Sequence, residues 1–422
     1  MFDLDSLQEI GATLAKNRLR TFLTAFGVFW GIFLLVLLLG SGNGLKNGID
    51  AGFTGTATNS FFVWGMRTSK PFGGLAAGRA IEFTNADVDE IKRQVTEAKV
   101  VAPRLQLGGF RGGATAVRGV HTGAYQIMGD MPEIATIQSL LVTRGRFINK
   151  LDVEDKRKIA VIGTRVREVL FDADEDPLGG SIRINGIDFQ VVGLFRSRQS
   201  GNDGQEDAET IFIPFTTYQQ SFNSANRVQW LAVTSVDGVP ASVAEKKVLE
   251  ILRARHKVSP EDNRGIGHFN LEEEYSKVQG LMTGIKFLMW IVGIGTLAAG
   301  AIGVSNIMLI IVRERTKELG IRRAIGATPW KVQGQIIFES VLITLGSGLL
   351  GLSSAVAVLE IVGRLLPAAA ADGRPQMFQN PGVDLSAALQ ALTVLVISGV
   401  IAGFAPARRA VAITPMAALR SD

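Results

Sequence analysis

Four long apolar segments restrict the folds open to this chain more than any other feature. They cover residues 21–45, 281–312, 332–363 and 385–407, and each is nearly free of charged side chains. About 20 residues of helix cross the hydrocarbon core of a bilayer, so each segment is long enough to span it. Hydrophobic residues make up 47% of the chain and charged residues 20%, which indicates a membrane part joined to a soluble part.

The region between the first two spans, residues 46–280, predicts a soluble domain. Short apolar or alternating runs such as Ile159–Gly163 predict strands, and Asn185-Gly186 between apolar positions predicts a hairpin turn. Stretches with helical periodicity lie between these runs. The sequence therefore predicts an α+β domain, in which residues 150–214 form a small inserted lobe.

The remaining segments flank or connect the spans. Residues 1–20 have apolar side chains at helical spacing and predict an amphipathic cytoplasmic helix along the membrane. Residues 313–331 form a charged connection between the second and third spans. Residues 364–384 are expected to form a short outer loop, and residues 408–422 a cytoplasmic tail.

Lysine and arginine are concentrated in three of these segments. They are Lys16, Arg18 and Arg20 near the start, Arg313, Arg315, Lys317, Arg322, Arg323 and Lys331 in the connection, and Arg408, Arg409 and Arg420 in the tail. Cytoplasmic loops carry an excess of such residues, so both termini and the connection are expected in the cytoplasm. The predicted fold class is an α-helical membrane protein with four transmembrane helices and a large α+β extracytoplasmic domain inserted between helices 1 and 2.

The connection at residues 313–331, here called the elbow, contains a predicted corner. Gly326 suits the position after a helix end, and Pro329 suits the first position of a new helix after an N-cap at Thr328. The sequence therefore predicts a helix that ends near Ile325 and a second helix that starts at Pro329. A charged corner joined to two spans is suited to receive a push from a soluble partner.

Motifs for catalysis or cofactor binding are missing from the sequence. It has no GxxxxGK[ST] phosphate loop, no GxSxG and no HExxH. Asp172, Asp174 and Asp176 start like a calcium loop, but Pro177 stands where that loop requires glycine. The chain has no cysteine, three widely spaced histidines and no stripe of basic and aromatic residues typical of nucleic-acid binders. No catalytic, cofactor-binding or metal site is predicted, and no nucleic-acid partner.

Charged side chains lie only near the ends of the predicted spans, as Lys286 and Glu339 do. Ion-coupled carriers place ionisable groups inside their spans, so this distribution argues against a secondary transporter or a channel with a charged pore. Glu339 is near enough to the elbow to predict a pair with Arg322 or Arg323.

Two GxxxG steps occur within the predicted spans. Gly27 and Gly31 lie in the first span, and Gly399 and Gly403 lie in the fourth. Small residues at this spacing let a neighbouring helix approach closely, so these four glycines are predicted helix-packing positions.

Several motifs, taken in their order along the chain, resemble those of MacB/FtsX-type ABC transporter permeases. The elbow reads RERTKELGIRRAIGATP from Arg313 to Pro329, and Gln335 and Glu339-Ser340 follow it. Residues 16–27 at the first span, 144–179 in the soluble domain and 406–420 at the end are similar to the same family. The resemblance covers essentially the whole chain, and it is to the mechanotransmission members of the family without a fused ATPase domain.

The resemblance implies a permease subunit, not an enzyme, whose outer domain moves when a cytoplasmic ATPase binds ATP. Residues 1–20 alone precede the first span, so the ATPase, with its ATP and Mg²⁺, is expected on a separate chain. In the family the elbow is the coupling helix that fits a groove on the ATPase. Carried over by position, the expected coupling residues are Arg313, Glu314, Glu318, Gly320, Arg322, Arg323, Gly326, Ala327, Thr328 and Pro329.

The resemblance also implies partners and a location. A homodimer, or a heterodimer with a related permease, is expected in the cytoplasmic (inner) membrane, with a periplasmic adaptor and an outer-membrane channel as further partners. The expected function is export or extraction of an amphiphile, drug or peptide. Two alternatives stay open: an FtsX-like regulator that activates a cell-wall hydrolase and transports nothing, and a membrane-anchored enzyme or sensor. The sequence does not identify the substrate.

Overall fold

The computed structural model describes residues 18–53, 56–108, 113–138, 140–197, 202–365 and 378–412. The described residues from Ile49 to Gly280 form one compact unit, here called the α+β unit. The described residues on either side of it along the chain form a second compact unit, the helical unit. The amphipathic helix predicted at residues 1–20 lies outside the described residues except for its last three positions, and so do most of the 364–384 loop and of the tail.

The described helices, in chain order, are α1 (Arg18–Phe53), α2 (Asn85–Gln94), α3 (Ile134–Ile137), α4 (Lys150–Glu154), α5 (Thr164–Leu170), α6 (Asn202–Ala208), α7 (Phe215–Ser221), α8 (Ala241–Arg255), α9 (Leu271–Glu314), α10 (Thr316–Ala324), α11 (Pro329–Leu365) and α12 (Leu385–Ala412). The described strands are β1 (Ser60–Gly65), β2 (Ala98–Leu107), β3 (Ala114–Arg118), β4 (His121–Asp130), β5 (Leu140–Gly145), β6 (Ile159–Gly163), β7 (Ser181–Ile184), β8 (Ile187–Ser197), β9 (Thr210–Pro214), β10 (Trp230–Ser235) and β11 (Ile266–Asn270).

Four of the described helices, α1, α9, α11 and α12, are long and apolar enough to cross a membrane. Each extends past its predicted span at one or both ends. For the second span, the sequence predicts a helix that begins at Leu271 and runs unbroken into the membrane segment, and α9 confirms this start. The side chain of Asn270 caps it, because Oδ1 accepts a hydrogen bond from the backbone N–H of Glu273 at 3.1 Å. Three glutamates in the first turn, Glu272–Glu274, also favour a helix start because they lie at the positive end of the helix dipole.

Helices α1 and α9 approach each other at glycines. A Cβ atom added to Gly31 would lie 3.2 Å from Cα of Leu297, and one added to Gly300 would lie 3.1 Å from the carbonyl carbon of Gly27. Both distances are shorter than ordinary van der Waals contact. The first GxxxG step therefore lies at the crossing of these two helices.

The second GxxxG step lies where α12 crosses α11. A Cβ atom added to Gly403 would lie 3.0 Å from Cα of Ile337, and one added to Gly399 would lie 3.2 Å from Cα of Val341. Buried apolar side chains from all four long helices fill the space around these crossings, among them Val28, Val36, Leu297, Ile336, Leu395 and Ala402.

The strands of the α+β unit form one continuous sheet. Its order is β11-β1-β10-β2-β4-β3-β7-β8-β6-β9, and β5 pairs with β8. Asn185 and Gly186 join β7 to β8 with φ values of 46° and 84°. Two central residues with φ > 0 are typical of the tight turn that this residue pair favours, so the structure confirms the predicted hairpin.

Part of this sheet closes on itself. Strand β4 pairs in parallel with β9 over residues 126–130 and antiparallel with β3 over residues 121–125. The strands β4, β3, β7, β8, β6 and β9 therefore form a closed ring of pairings. The lobe predicted at residues 150–214 supplies β6 to β9, but β3 and β4 complete the same ring, so the strands that share it begin before residue 150.

An arginine–aspartate pair is buried in the α+β unit. Arg104 on β2 donates to Asp130 on β4 through Nε at 2.7 Å and through Nη2 at 2.8 Å. The side chains are 3% and 0% exposed. Gln138 accepts a further bond from Arg104 at 3.3 Å, and the guanidinium lies 5.5 Å from the ring centre of Trp230. Because water is excluded, each charge depends on the other for its stabilisation.

We predict that Asp130→Asn lowers the free energy of unfolding of the α+β unit by about 3–5 kcal/mol, because it leaves the buried Arg104 guanidinium without its counter-charge. Asp188→Asn is the matched control, since the Arg183–Asp188 pair is more than half exposed and solvent screens it. Urea unfolding of the detergent-solubilised chain, followed by tryptophan fluorescence, measures both. Equal midpoints for the two variants would contradict the prediction.

Candidate functional site

The elbow contains a separate short helix. Helix α9 ends at Glu314, α10 covers Thr316–Ala324, and α11 begins at Pro329. The single residue between α9 and α10, Arg315, has φ −95° and ψ 13°. The start of α11 at Pro329 was predicted from the sequence, whereas the break at Arg315 was not.

The corner after α10 has the hydrogen bonds of a Schellman motif. Gly326 has φ +104°. The N–H of Ala327 donates to the carbonyl of Arg322 at 3.0 Å, and the N–H of Gly326 donates to that of Arg323 at 3.1 Å. These bonds satisfy carbonyl groups that a helix end leaves open. They confirm the predicted helix end near Ile325.

Five polar side chains form a closed circuit, here called the polar ring: Arg315, Glu318, Arg322, Gln335 and Glu339. Arg315 contacts Glu339 (Nη1 to Oε1, 3.3 Å) and Glu318 (Nε to Oε2, 3.4 Å). Arg322 contacts Glu318 (Nη2 to Oε1, 2.7 Å) and donates to Gln335 Oε1 at 3.2 Å. Gln335 Nε2 donates to Glu339 Oε1 at 3.3 Å. Two positive and two negative charges meet in the ring, so its formal charge is balanced.

The polar ring joins α10 and the break before it to α11. Glu339 is nearly buried, with a side chain that is 6% exposed, and that of Arg315 is 14% exposed. The sequence-based pairing of Glu339 with Arg322 or Arg323 is wrong: the cation that contacts Glu339 is Arg315, and Gln335 bridges Arg322 and Glu339.

The inner side of α10 also packs on the helical unit. Leu319 is buried in the same apolar cluster as Val332 and Ile336 of α11. Arg323 Nη1 donates to the carbonyl of Val411 in the last turn of α12 at 2.5 Å. A cation at the C-terminal end of a helix is favourable because unpaired carbonyls lie there.

The outer side of the elbow presents basic and apolar side chains to the surroundings. Arg313 and Lys317 are exposed, and so are Ile321, Ile325 and Trp330, whose exposed fractions are 43%, 82% and 82%. Exposed indole and isoleucine side chains within one short segment of chain are typical of a surface that another protein covers. We call these five side chains the elbow surface.

The expected coupling residues divide between these two sides. Arg313, Glu314, Gly326, Thr328 and Pro329 are exposed. Gly320 is buried, and Ala327 packs against the apolar cluster. Glu318, Arg322 and Arg323 contact the chain itself, as described above.

The sequence-based site omitted several residues that the structure places at the elbow: Arg315, Ile321, Ile325, Trp330, Gln335 and Glu339. Gln335 and Glu339 belong to the family-like motif, and their i, i+4 spacing on one helix face is an available sequence signal. No local sequence pattern predicts that the side chains of Ile325 and Trp330 are exposed.

The start of α9 is held within the α+β unit. Glu245 of α8 contacts His268 Nδ1 through Oε1 and accepts from Asn270 Nδ2 through Oε2, both at 2.6 Å. Glu272 of α9 accepts from the N–H of Ala241, the first residue of α8. These contacts fix the first turn of α9 to the sheet edge at β11 and to α8.

Residues at the end of α1 hold the same part of α9. Asp50 Oδ1 accepts from the Tyr275 hydroxyl at 3.3 Å and from Gln279 Nε2 at 3.2 Å. Phe53 meets the Tyr275 ring edge-on at 5.1 Å between ring centres. Residues 271–279, here called the root of α9, are therefore held both by α8 and by the end of α1.

Within the described part of the chain, no group of three or more His, Asp or Glu side chains is arranged to hold a metal ion. Of the three aspartates that begin like a calcium loop, Asp176 pairs with Arg144 at 2.7 Å, and Asp172 lies 3.7 Å from His121.

Four membrane-length helices with an α+β domain between the first and second along the chain define a polytopic membrane protein. A family model described as the MacB-like periplasmic core domain matches residues 21–251, and one described as the FtsX-like permease C-terminal domain matches residues 290–415. The chain belongs to the MacB/FtsX-type ABC transporter permeases.

Curated relatives align over nearly the whole chain. The pyoverdine export ATP-binding/permease protein PvdT of Pseudomonas entomophila is 28% identical over 99% of this chain. The macrolide export ATP-binding/permease protein MacB of Bdellovibrio bacteriovorus is 27% identical over 99% of this chain. The chain spans 60% and 62% of their respective lengths.

A solved structure, the periplasmic region of MacB from Actinobacillus actinomycetemcomitans, aligns with 54% of this chain and 95% of its own, at 18% identity and a TM-score of 0.43. The extracellular domain of YknZ, described as a noncanonic ABC-type transporter from Gram-positive bacteria, aligns with 50% of this chain and 100% of its own, at 17% identity and a TM-score of 0.41.

We predict that Gly326→Ala destabilises the corner by about 1–2 kcal/mol, because an L-residue is strained at positive φ. The matched control is Gly334→Ala inside α11: an added Cβ meets nothing within 4 Å at either site, so the two sites differ in backbone conformation and not in steric contact. Hydrogen–deuterium exchange of peptides covering residues 316–332 is expected to accelerate roughly tenfold in the first variant and not in the second. Equal exchange in both would contradict the strain at Gly326.

Proposed function

We propose that this chain is the permease subunit of an ABC transporter whose ATPase binds the elbow and whose α+β domain moves in response. The elbow surface is the observation that carries the proposal. It combines exposed Ile325 and Trp330 with the cations Arg313 and Lys317. These residues extend from the end of α9 to the start of α11, and α10 between them is held to the helical unit by the polar ring and by buried Leu319. Partly apolar surfaces of this kind, with an aromatic anchor, are favoured in protein interfaces.

The ATPase is proposed to be a separate chain that supplies ATP and Mg²⁺, so that this chain needs no cofactor of its own. Both relatives described above are named as ATP-binding/permease proteins, which pairs this kind of permease with an ATPase. The proposal places the elbow and both termini in the cytoplasm of an inner membrane and the α+β unit outside it. The distribution of Lys and Arg supports this orientation.

Movement is proposed to pass along α9. This helix of 44 residues runs without interruption from Leu271, where Glu245, Asn270 and Asp50 fasten its root, to Glu314 at the elbow. Backbone hydrogen bonds along a continuous helix resist bending, so a displacement at one end is carried to the other. Because α8 and β11 are fastened to the root, they would be displaced first.

The cargo is proposed to be an amphiphile, drug or peptide that is exported or extracted from the membrane, with an adaptor and an outer-membrane channel as further partners. The names of the two relatives refer to pyoverdine export and to macrolide export. The direct test is to reconstitute the chain with its ATPase in lipid nanodiscs and to measure ATP hydrolysis with a macrolide, a siderophore and a lipopeptide. Stimulation by at least one of them is expected. Hydrolysis that responds to none, together with activation of a cell-wall hydrolase, would favour the FtsX-like alternative.

We predict that Ile325→Asp combined with Trp330→Ala lowers co-purification of the ATPase at least tenfold, because it removes the apolar anchors and places a carboxylate at the interface. Val120→Asp is the control, since this side chain is 93% exposed and lies in the α+β unit. Affinity purification from membranes, quantified by immunoblot of the ATPase, measures both. Unchanged recovery of the ATPase with the double variant would show that the elbow surface is not its docking site.

A second permease subunit, identical or related, is proposed to pack on the exposed face of α9. This face carries small residues and one amide: Gly284, Gly295, Ala298 and Asn306 are all exposed. The same face also carries the bulky side chains Leu288, Ile291 and Ile302. The glycines of α12, Gly399 and Gly403, are both buried within the helical unit, so the exposed face of α12 carries no glycine. In hydrocarbon, small residues favour close helix approach, and an asparagine favours a partner helix that can hydrogen-bond to it.

We predict that Ile302→Cys on this face of α9 forms an intermolecular disulfide under mild oxidation, whereas Ile401→Cys on α12 does not. Ile302 and Ile401 are similarly exposed, at 62% and 65%, and the chain contains no other cysteine. Non-reducing electrophoresis of oxidised membranes reads out the dimer band. Cross-linking through Ile401→Cys alone would place the interface on α12 instead.

A further inference from the structure

The angle between α10 and α11 is held by contacts of unequal kind. Leu319 of α10 packs with Val332 and Ile336 of α11 in one buried apolar cluster, and the polar ring joins the same two helices by ion pairs and hydrogen bonds. Apolar packing is non-directional and tolerates small rotations, whereas a hydrogen-bonded ion pair requires a defined distance and angle. The polar ring therefore specifies the orientation of α10 relative to α11, and the hydrogen bond from Arg323 to Val411 adds one directional contact with α12.

Within the polar ring, the Arg315–Glu339 contact has a special place. Arg315 is the residue at the break between α9 and α10, so its side chain acts at the point where the chain changes helix. Glu339 lies on α11 and is 6% exposed, so a change in the orientation of Arg315 would leave a carboxylate buried without its cation. The cost of that separation favours the orientation described here.

We propose that Arg315 and Glu339 are positioning residues that fix the angle of α10 at the break after α9, so that force on the elbow surface is passed into α9 and not absorbed by rotation of α10. The functional half of this inference rests on the proposed ATPase coupling, and the geometric half does not. Arg315 and Glu339 touch neither ATP nor the elbow surface, so their loss leaves ATPase docking intact and removes the response of the α+β unit.

The geometric half is tested on the permease alone. Ile325→Cys and Arg409→Cys place two spin labels on exposed positions at the end of α10 and in α12, and the cysteine-free sequence gives no background labelling. The distribution of distances between the labels is measured by pulsed electron paramagnetic resonance. It is expected to be narrow in the parent and at least twice as broad when Arg315→Met and Glu339→Leu are combined.

Two further variants separate positioning from folding. Glu339→Gln keeps the side-chain volume and the bond from Gln335, so it folds and is expected to broaden the distribution to a smaller degree. Glu360→Gln is the matched control: Glu360 lies on the same helix, α11, in an exposed pair with Arg364 at 2.5 Å. It is expected to leave the distribution unchanged. An unchanged width in both Glu339 variants would overturn the proposal.

The functional half uses the complex with the ATPase. The Arg315→Met/Glu339→Leu variant is expected to co-purify with the ATPase within twofold of the parent and to hydrolyse ATP. The change in hydrogen–deuterium exchange of α8 on addition of ATP and vanadate is expected to fall at least fivefold. A full exchange response, or loss of ATPase co-purification, would overturn the positioning role. If the parent itself fails to bind the ATPase, the proposed function is wrong, and the distance measurement still decides whether Arg315 and Glu339 fix α10.

Discussion

Inside a bilayer the hydrophobic effect does not drive helices together, and this constraint governs the packing of the helical unit. Lipid tails are as apolar as leucine, so helices gain by contact at short range and by satisfied polar groups. Glycines meet the first requirement: Gly31 brings α1 against α9, and Gly403 brings α12 against α11. Satisfied polar groups meet the second requirement: the carboxylate of Glu339 is buried, and it accepts hydrogen bonds from Arg315 and Gln335. The same rule applies in the α+β unit, where a single guanidinium serves the one fully buried carboxylate on β4.

Features that depend on a few adjacent residues could be predicted from the sequence. The four spans follow from runs of apolar residues whose length matches the bilayer. The corner follows from Gly326, whose backbone conformation suits only glycine, and from Pro329, whose ring suits a first helical turn. The β7–β8 turn follows from Asn185 and Gly186 for the same local reason. For the corner and the turn the physical cause is short-range sterics, and for the spans it is the burial of an unbroken apolar run in hydrocarbon. Both causes can be read from residues that are contiguous in the sequence.

Features that depend on distant residues could not be predicted. Arginine is a good helix former, so nothing local marks Arg315 as a break, and the carboxylate that holds it comes from a different helix. Arg323 was expected to face a partner, yet a carbonyl in the last turn of α12 engages it. The parallel pairing of β4 with β9 joins segments separated by four helices and four strands, so no periodicity in either strand predicts it. The sequence shows that the elbow is rich in charged residues, but packing decides which of their side chains face outward.

The closed ring of pairings among strands β4, β3, β7, β8, β6 and β9, here called the strand circuit, has a mechanical consequence. In an open sheet, one strand can slide past its neighbour by exchanging one set of hydrogen bonds for the next. In a closed circuit, the stagger summed around the circuit is fixed, so a slip at any one pair must be absorbed by all the others. This part of the α+β unit is therefore stiff against shear, and a load applied to it causes tilting or translation of the circuit as a single body.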